Sequence, residues 1–371
     1  MPEDTSPEQG RFLVRTFSKL TAVAAAAATG LVLAACGSSG SSSSQAGGSA
    51  GGSGCKNAAP PNIAAPAGYQ VCLFAAPMTT SNHPDSIVVS GSDVFIGWQN
   101  VTAKDGSDNK TSTISEYTTA GKLVKSWSVS GHSDGLRMDP YTHVLWVMCD
   151  EDGNPRLFTI NPASGNPTQI TLPSPTPWGG GFDDIQFTGG NAYIDASNPT
   201  LNAAGKNIYA ALYKVQISGT SATLTKVLMA NTKATTLTLP TTTVALNLTD
   251  PDSMMIDPTG TLVLDSQGDG EMLWLKNVGT PQQSVSVLNV GTQVDDTVWP
   301  SSANGCILVA DNGSGVYSIC SSVWVPGTPY VSTPNDSGVI GFVGLLSMSS
   351  GIIQPIVAGF ANPHGMAWLP K

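Results

Sequence analysis

Short apolar runs separated by turns rich in Asp, Gly, Pro and Asn recur from residue 69 to the C-terminus, and no stretch holds the 3.6-residue period of an amphipathic helix. The clearest unit is 250–265. A polar turn leads into Met254-Met255-Ile256, Asp257-Pro258-Thr259-Gly260 turns the chain back, and Leu262-Val263-Leu264 ends on Asp265. The same succession recurs at 83–98, 132–150, 181–195 and 293–311, and in shortened form at 362–370. Each copy predicts two antiparallel strands joined by a tight turn, because Asp, Pro and Gly supply the turn's hydrogen bonds and backbone angles. Further strand candidates follow the copies: 113–117 and 123–129, 157–160 and 168–172, 208–217 and 222–229, 272–275 and 284–288, then 316–319 and 352–357.

Aligned on the residue before each first apolar strand, the copies fall at Asp85, Asp134, Asp183, Asp252, Asp295 and His364, spaced by 49, 49, 69, 43 and 69 residues. Periods of about 40–50 residues with four strands each are those of propeller blades. The expected fold is therefore all-β: a β-propeller of six four-stranded antiparallel sheets over residues 68–371, closed by strands from both termini, which removes free sheet edges. The chain stops just after the sixth first strand, and 69–74 supplies one obvious strand for closure, not three. Either the closing blade is small, or the excursion 321–341 contributes, or the blade number differs from six.

The remaining sequence adds an address. Arg11, Arg15 and Lys19 precede an Ala-rich apolar run, and Leu33-Ala34-Ala35-Cys36-Gly37 resembles a bacterial lipobox. That resemblance implies a lipoprotein signal peptide over 1–35, lipidation of Cys36 and a Gly/Ser/Ala-rich tether over 36–67. The expected location is the outer face of a bacterial membrane, in the cell envelope. Five further cysteines fit an oxidising compartment. Cys306 and Cys320 lie symmetrically about Gly313 in a hairpin, so they are expected to pair, as are Cys55 and Cys72, leaving Cys149 as a buried thiol. A net charge of −10 with only 16 Lys plus Arg excludes a nucleic-acid partner, since phosphate neutralisation needs clustered cations. A monomer is expected, meeting either a small polar ligand or an envelope protein.

In a propeller, the residues before the first strands ring one mouth of the central channel. Asp85, Asp134, Asp183, Asp252, Asp295 and His364 are then candidate metal ligands, with second acids at Asp184 and Asp296. Crowded carboxylates must bind a cation, share protons or find donors, and hard oxygen ligands suit calcium. The loops after the second strands should open on the same face and present Gln99, Asn100, Asp150, Asp152, Asp195, Asn198, Asp265, Asp269, Asp311 and Asn312. His83, His132 and His364 form an alternative zinc set. Five tryptophans, Trp98, Trp146, Trp178, Trp299 and Trp368, are candidates for a ligand surface, although apolar strands around Trp146, Trp299 and Trp368 favour packing between blades.

Pro251-Asp252-Ser253-Met254, Ser133-Asp134-Gly135-Leu136 and Pro363-His364-Gly365-Met366 resemble the repeats of six-bladed NHL and SMP-30/gluconolactonase-like propellers. The resemblance implies a divalent cation polarising a lactone or ester carbonyl while a carboxylate activates water, with Asp134 and Asp252 as catalytic candidates. The histidine set resembles that of a zinc-dependent lyase branch. The chain departs from the hydrolase pattern at the first blade, where His83-Pro84-Asp85 replaces Glu-Gly-Pro. Binding module and metal-dependent hydrolase both stand as readings of the same mouth.

Overall fold

The computed structural model describes residues 55, 57–60, 62–174, 176–335 and 338–371. The expected signal peptide, Cys36 and the Gly/Ser-rich part of the expected tether lie outside them. Everything described belongs to one unit, Ser53–Lys371. Among the described residues there is no α-helix, and none therefore long and apolar enough to cross a membrane.

The first strand, β1 (Tyr69–Ala75), is set apart from those that follow it. Blade 1 is β2 (Pro84–Ser90), β3 (Asp93–Trp98), β4 (Thr111–Thr118) and β5 (Leu123–Ser130). Blade 2 is β6 (Ser133–Met138), β7 (Leu145–Cys149), β8 (Arg156–Ile160) and β9 (Thr168–Ile170). Blade 3 is β10 (Phe182–Thr188), β11 (Asn191–Ala196), β12 (Ala210–Ser218) and β13 (Ser221–Met229). A short hairpin, β14 (Lys233–Thr236) and β15 (Thr243–Ala245), then extends the outer edge of blade 4, which is β16 (Pro251–Ile256), β17 (Leu262–Ser266), β18 (Glu271–Lys276) and β19 (Ser284–Asn289). In each of these blades the four strands pair antiparallel in chain order, innermost first.

Blades 5 and 6 break that order. After β20 (Thr297–Val298), the chain leaves to form β21 (Gly305–Asp311) and β22 (Gly315–Ser321) in the neighbouring sheet. It returns to complete blade 5 with β23 (Tyr330–Thr333), β24 (Gly341–Leu346) and β25 (Ile353–Phe360), and ends as β26 (Pro363–Pro370). Blade 5 is thus β20-β23-β24-β25, and blade 6 reads β26-β21-β22-β1 from channel to rim. The stretch 293–311, expected as one strand–turn–strand unit, is therefore split between two blades. Trp299-Pro300 cuts β20 to two residues, and proline has no N–H to continue a ladder. The exchange also answers how the ring closes. Blade 6 takes its inner strand from the C-terminus, its outer strand from the N-terminal side and the two between from the displaced hairpin. The excursion 321–341 supplies β23 and leads into β24 of blade 5.

The pattern of burial follows the layered packing. The second strands read as nearly unbroken apolar runs because they are covered on both faces: every residue of β7 and β21 is buried. The rim strand β5 alternates from Val124 onward, with Val124, Ser126, Ser128 and Ser130 facing solvent. Trp98 and Trp178 are buried in two separate apolar clusters, Trp146 packs with Trp178, and Trp299 and Trp368 pack against two others. Trp178 sits 4.8 Å from the Phe182 ring and 5.1 Å from that of Tyr213. None of the five lines the channel mouth.

Cys306 and Cys320 face each other across β21 and β22 and are bonded, and a second disulfide joins Cys55 to Cys72 of β1. Cys149 is a buried free thiol. Two disulfides mark an oxidising, extracytoplasmic setting. Part of the expected tether packs on the propeller: Ala58 bridges to Cys72 and Ala64 to Ala358, on the outer strands of blades 6 and 5.

Candidate functional site at the channel mouth

In five blades the innermost strand slips register at the position singled out by the repeat. The shifts fall between Pro84 and Ile87, Ser133 and Leu136, Phe182 and Ile185, and Pro251 and Met254, and beside His364 where β26 leaves β21. A bulge places two residues opposite one and re-aims their side chains. This is why Asp85, Asp134, Asp183, Asp252 and His364 leave the ladder and point into the channel. In blade 5 the short β20 does the same for Asp295-Asp296, whose backbone is held by Ser332 on β23. The inner strands approach each other closely here. A Cβ on Gly135 would stand 2.3 Å from the Asp183 carbonyl oxygen, and one on Gly365 2.4 Å from that of Asp85. The Asp-Gly and His-Gly pairs of the repeat are thus packing requirements.

The mouth opens into a cavity of about 490 Å³ lined by all six ring positions. Its floor is Arg137, half-buried on β6. The guanidinium donates to Asp184 Oδ2 and to the Met254 carbonyl, each at 2.7 Å, and through Nε to the Ile185 carbonyl at 3.0 Å. Asp184 also accepts from the Met254 N–H at 2.9 Å, and Asp296 from the Met366 N–H at 2.7 Å. The second acids therefore tie blade 3 to blade 4 and blade 5 to blade 6. Burial pushes Asp296 up to about 7 despite the nearby Arg137.

On one side of the mouth the acids are compensated. His364 Nδ1 lies 3.0 Å from Asp85 Oδ1 and 2.9 Å from Asp295 Oδ2, and its Nε2 lies 2.8 Å from the Asn362 side-chain amide. Burial alone would lower its pKa, but Asp295 and Asp85 hold it well above the ordinary imidazole value.

The other side is different. Glu151, Asp183 and Asp252 bring ligand atoms within 4.8 Å of one another, and His132, Asp134 and Glu151 form a second such group. Burial, then Asp252 and Glu151, raises Asp183 well above the usual carboxylate range. Burial, then Asp295 and Asp250, does the same for Asp252. Asp134 is raised by burial, Glu151 and Asp85, against the opposing Lys104. Lys104 is the cation on this side, 2.5 Å from Glu151 Oε1, with its own side chain 59% exposed.

The loop acids expected at the face have another task. Asp150, Asp195, Asp265 and Asp311 are buried and do not line the cavity. Asp150 accepts from the His132 N–H at 2.8 Å, Asp195 from the Asp184 N–H at 2.7 Å and Asp311 from the Asn362 N–H at 2.6 Å. Asp150 also pairs with Arg156 at 2.6 Å, and Asp265 accepts from the Thr297 hydroxyl at 3.3 Å. They clip the backbone approaching the inner strands, a demand of the bulged geometry. Asn312 does reach the mouth, donating to Gln99 Oε1 at 2.7 Å and facing His83 Nδ1 at 3.0 Å.

The three histidines do not converge into a zinc triad. His83 is turned to Asn312, His364 has both ring nitrogens engaged, and only His132 stands in a group of potential ligands among the described residues. Glu151, Arg137, Lys104 and Asp250 line the mouth without having been singled out from sequence. One signal for Glu151 was present, since it is one of three glutamates in 68–371 and follows a loop aspartate directly.

No protein-family model matches this chain, and no curated protein matches it in sequence. Solved structures resemble it in architecture. A Bacteroides fragilis protein named for a proposed 6-phosphogluconolactonase activity is 13% identical over 84% of this chain and 88% of its own, with a TM-score of 0.44. An inactive variant of virginiamycin B lyase from Staphylococcus aureus, solved with quinupristin, is 12% identical over 81% of this chain and 96% of its own, with a TM-score of 0.42. A protein of unknown function from Bacteroides caccae is 9% identical over 82% and 89%, with a TM-score of 0.43. At these identities no activity carries over.

Proposed function

We propose that this protein is an extracytoplasmic propeller, held to the membrane by lipid on Cys36, that binds a divalent cation or a small polar cationic ligand at the acidic mouth of its channel. The observation that carries the reading is the convergence of Glu151, Asp183 and Asp252 within 4.8 Å. Three all-oxygen donors, two of them with pKa values raised by burial and like charge, are the chemistry of a hard cation such as calcium. Asp85, Asp295 and His364, satisfied by one another, would stand outside the ligand set.

A second reading is metal-dependent hydrolysis of a lactone or ester. It is favoured by His132 Nε2, 3.4 Å from Asp134 Oδ1 beside the same cluster. A bound cation would polarise the carbonyl. His132 and Asp134 would then orient and deprotonate a water, and Arg137 would close the floor against leakage.

The test is calorimetric titration of calcium into the chelator-treated protein, alongside a panel of lactones and esters. One equivalent of calcium bound, and its loss in Asp252→Asn, is expected. Absence of calcium binding together with no effect of chelator on the melting temperature sinks the calcium reading. Turnover abolished by Asp134→Asn would establish the hydrolase.

A further inference from the structure

His132 presents an anomaly that calcium does not resolve. Its Nδ1 lies 3.1 Å from the Thr102 carbonyl oxygen and 2.7 Å from Thr102 Oγ1. The Thr102 hydroxyl spends its own proton on the Gln99 carbonyl at 2.7 Å. Both neighbours therefore accept, and Nδ1 must carry the hydrogen. That leaves a lone pair on Nε2, and this atom is buried without a hydrogen-bond partner. The side chain is only 8% exposed, and Nε2 faces Asp134 Oδ1 at 3.4 Å, one acceptor against another. A cation between the two atoms satisfies both, as would a proton carried by Asp134.

We infer that His132 Nε2, Asp134 and Glu151 form a second cation site, suited to a divalent transition-metal ion such as zinc and joined to the all-oxygen cluster through Glu151. An imidazole nitrogen with two carboxylates is a borderline-soft donor set, unlike the three carboxylates next to it. The orientation of His132 is also that of a ligand, because a metal-binding histidine donates its other ring N–H to a backbone carbonyl. Glu151 belongs to both groups, so the mouth would hold two ions that share a carboxylate. Lys104 is the resident competitor: its ammonium neutralises Glu151, and its exposed position lets it swing away when an ion arrives. The inference goes beyond the calcium reading and does not need it.

The experiment adds zinc alone, then calcium alone, to the purified, chelator-treated protein with both disulfides intact. Zinc should bind and shift the nitrogen resonance of His132 Nε2 in protein labelled at histidine. His132→Ala should weaken zinc by at least about 100-fold, since losing even an outer-shell partner costs about 10–100-fold, while calcium, whose ligand set lacks His132, should be weakened far less. Lys104→Met should tighten zinc, and Asp252→Asn should remove calcium alone. Zinc bound equally by wild type and His132→Ala, or an unmoved His132 resonance at saturating zinc, overturns the inference. The resonance in the wild-type protein decides the matter even where the variant fails to fold. Calcium absent with zinc retained would sink the calcium reading and leave this site standing.

Discussion

The two sides of the channel mouth are built from the same repeat and end differently. On the side of blades 5, 6 and 1, the repeat places a histidine where the others carry aspartate, and His364 bridges Asp85 and Asp295. On the side of blades 2, 3 and 4, Asp134, Asp183 and Asp252 meet Glu151 with one exposed lysine to balance them. One residue type at one ring position separates a structural clasp from a candidate ligand site. Like charges held together are tolerated only where something compensates them, and on the second side the protein itself supplies little.

Breaking the clasp should have the largest effect. His364→Ala removes the cation shared by the half-buried Asp85 and the buried Asp295 and should cost about 3 kcal/mol in urea unfolding at neutral pH. Asp295→Asn in the same background should recover part of it; a loss below about 1 kcal/mol would show the clasp to be dispensable. The pH dependence has a definite sign. The folded-state pKa of His364 is raised, so its contribution is fully present below the unfolded value of about 6.5 and is lost as pH rises through the folded value. His364→Ala should flatten that alkaline limb.

The open side should respond to metal. Calcium at about one hundred times its dissociation constant should stabilise the protein by about 2.7 kcal/mol, and Asp252→Asn should abolish the gain. Without metal, Asp183 and Asp252 hold their protons more tightly folded than unfolded. Stability should then fall as pH rises from about 4 through the folded values, and calcium should remove the slope. A pH-independent melting temperature in chelator would contradict this. The smallest effect sharpens the contrast: Asp183→Asn should stabilise the metal-free protein at neutral pH by about 0.5–1 kcal/mol, the usual sign where a site is kept at the expense of stability.

Much of this was legible in the sequence, for definite reasons. Asp-Pro-Thr-Gly at 257–260 forms the expected turn: Asp257 Oδ1 accepts from Thr259 and Thr261, and Gly260 takes a φ of 83°. The six ring positions follow from a period that a bulge enforces in five of the blades. The inward direction of Glu151 was not legible, because alternation after Asp150 would aim it away from the mouth. Asp150 instead takes a φ of 73°, and the chain swings its neighbour inward. Nor was the loop acids' role, since an aspartate closing a strand looks the same whether it meets solvent or a backbone N–H. The hairpin exchange was hidden for a third reason: β21 and β22 have the pattern of any blade's middle strands, and pattern carries no record of which sheet they join.

That exchange has a mechanical consequence. A pull on the chain ahead of Cys55 first meets the Cys55–Cys72 bond, which hands the load to the outer strand of blade 6. From there it crosses to β22 along a backbone ladder running from Tyr69 to Leu73, passes to β21 through the Cys320–Cys306 bond, and reaches the C-terminal strand beside the channel. A propeller pulled from its N-terminal side is thus gripped through cross-bolted layers, and its rim strand is not the first thing to peel.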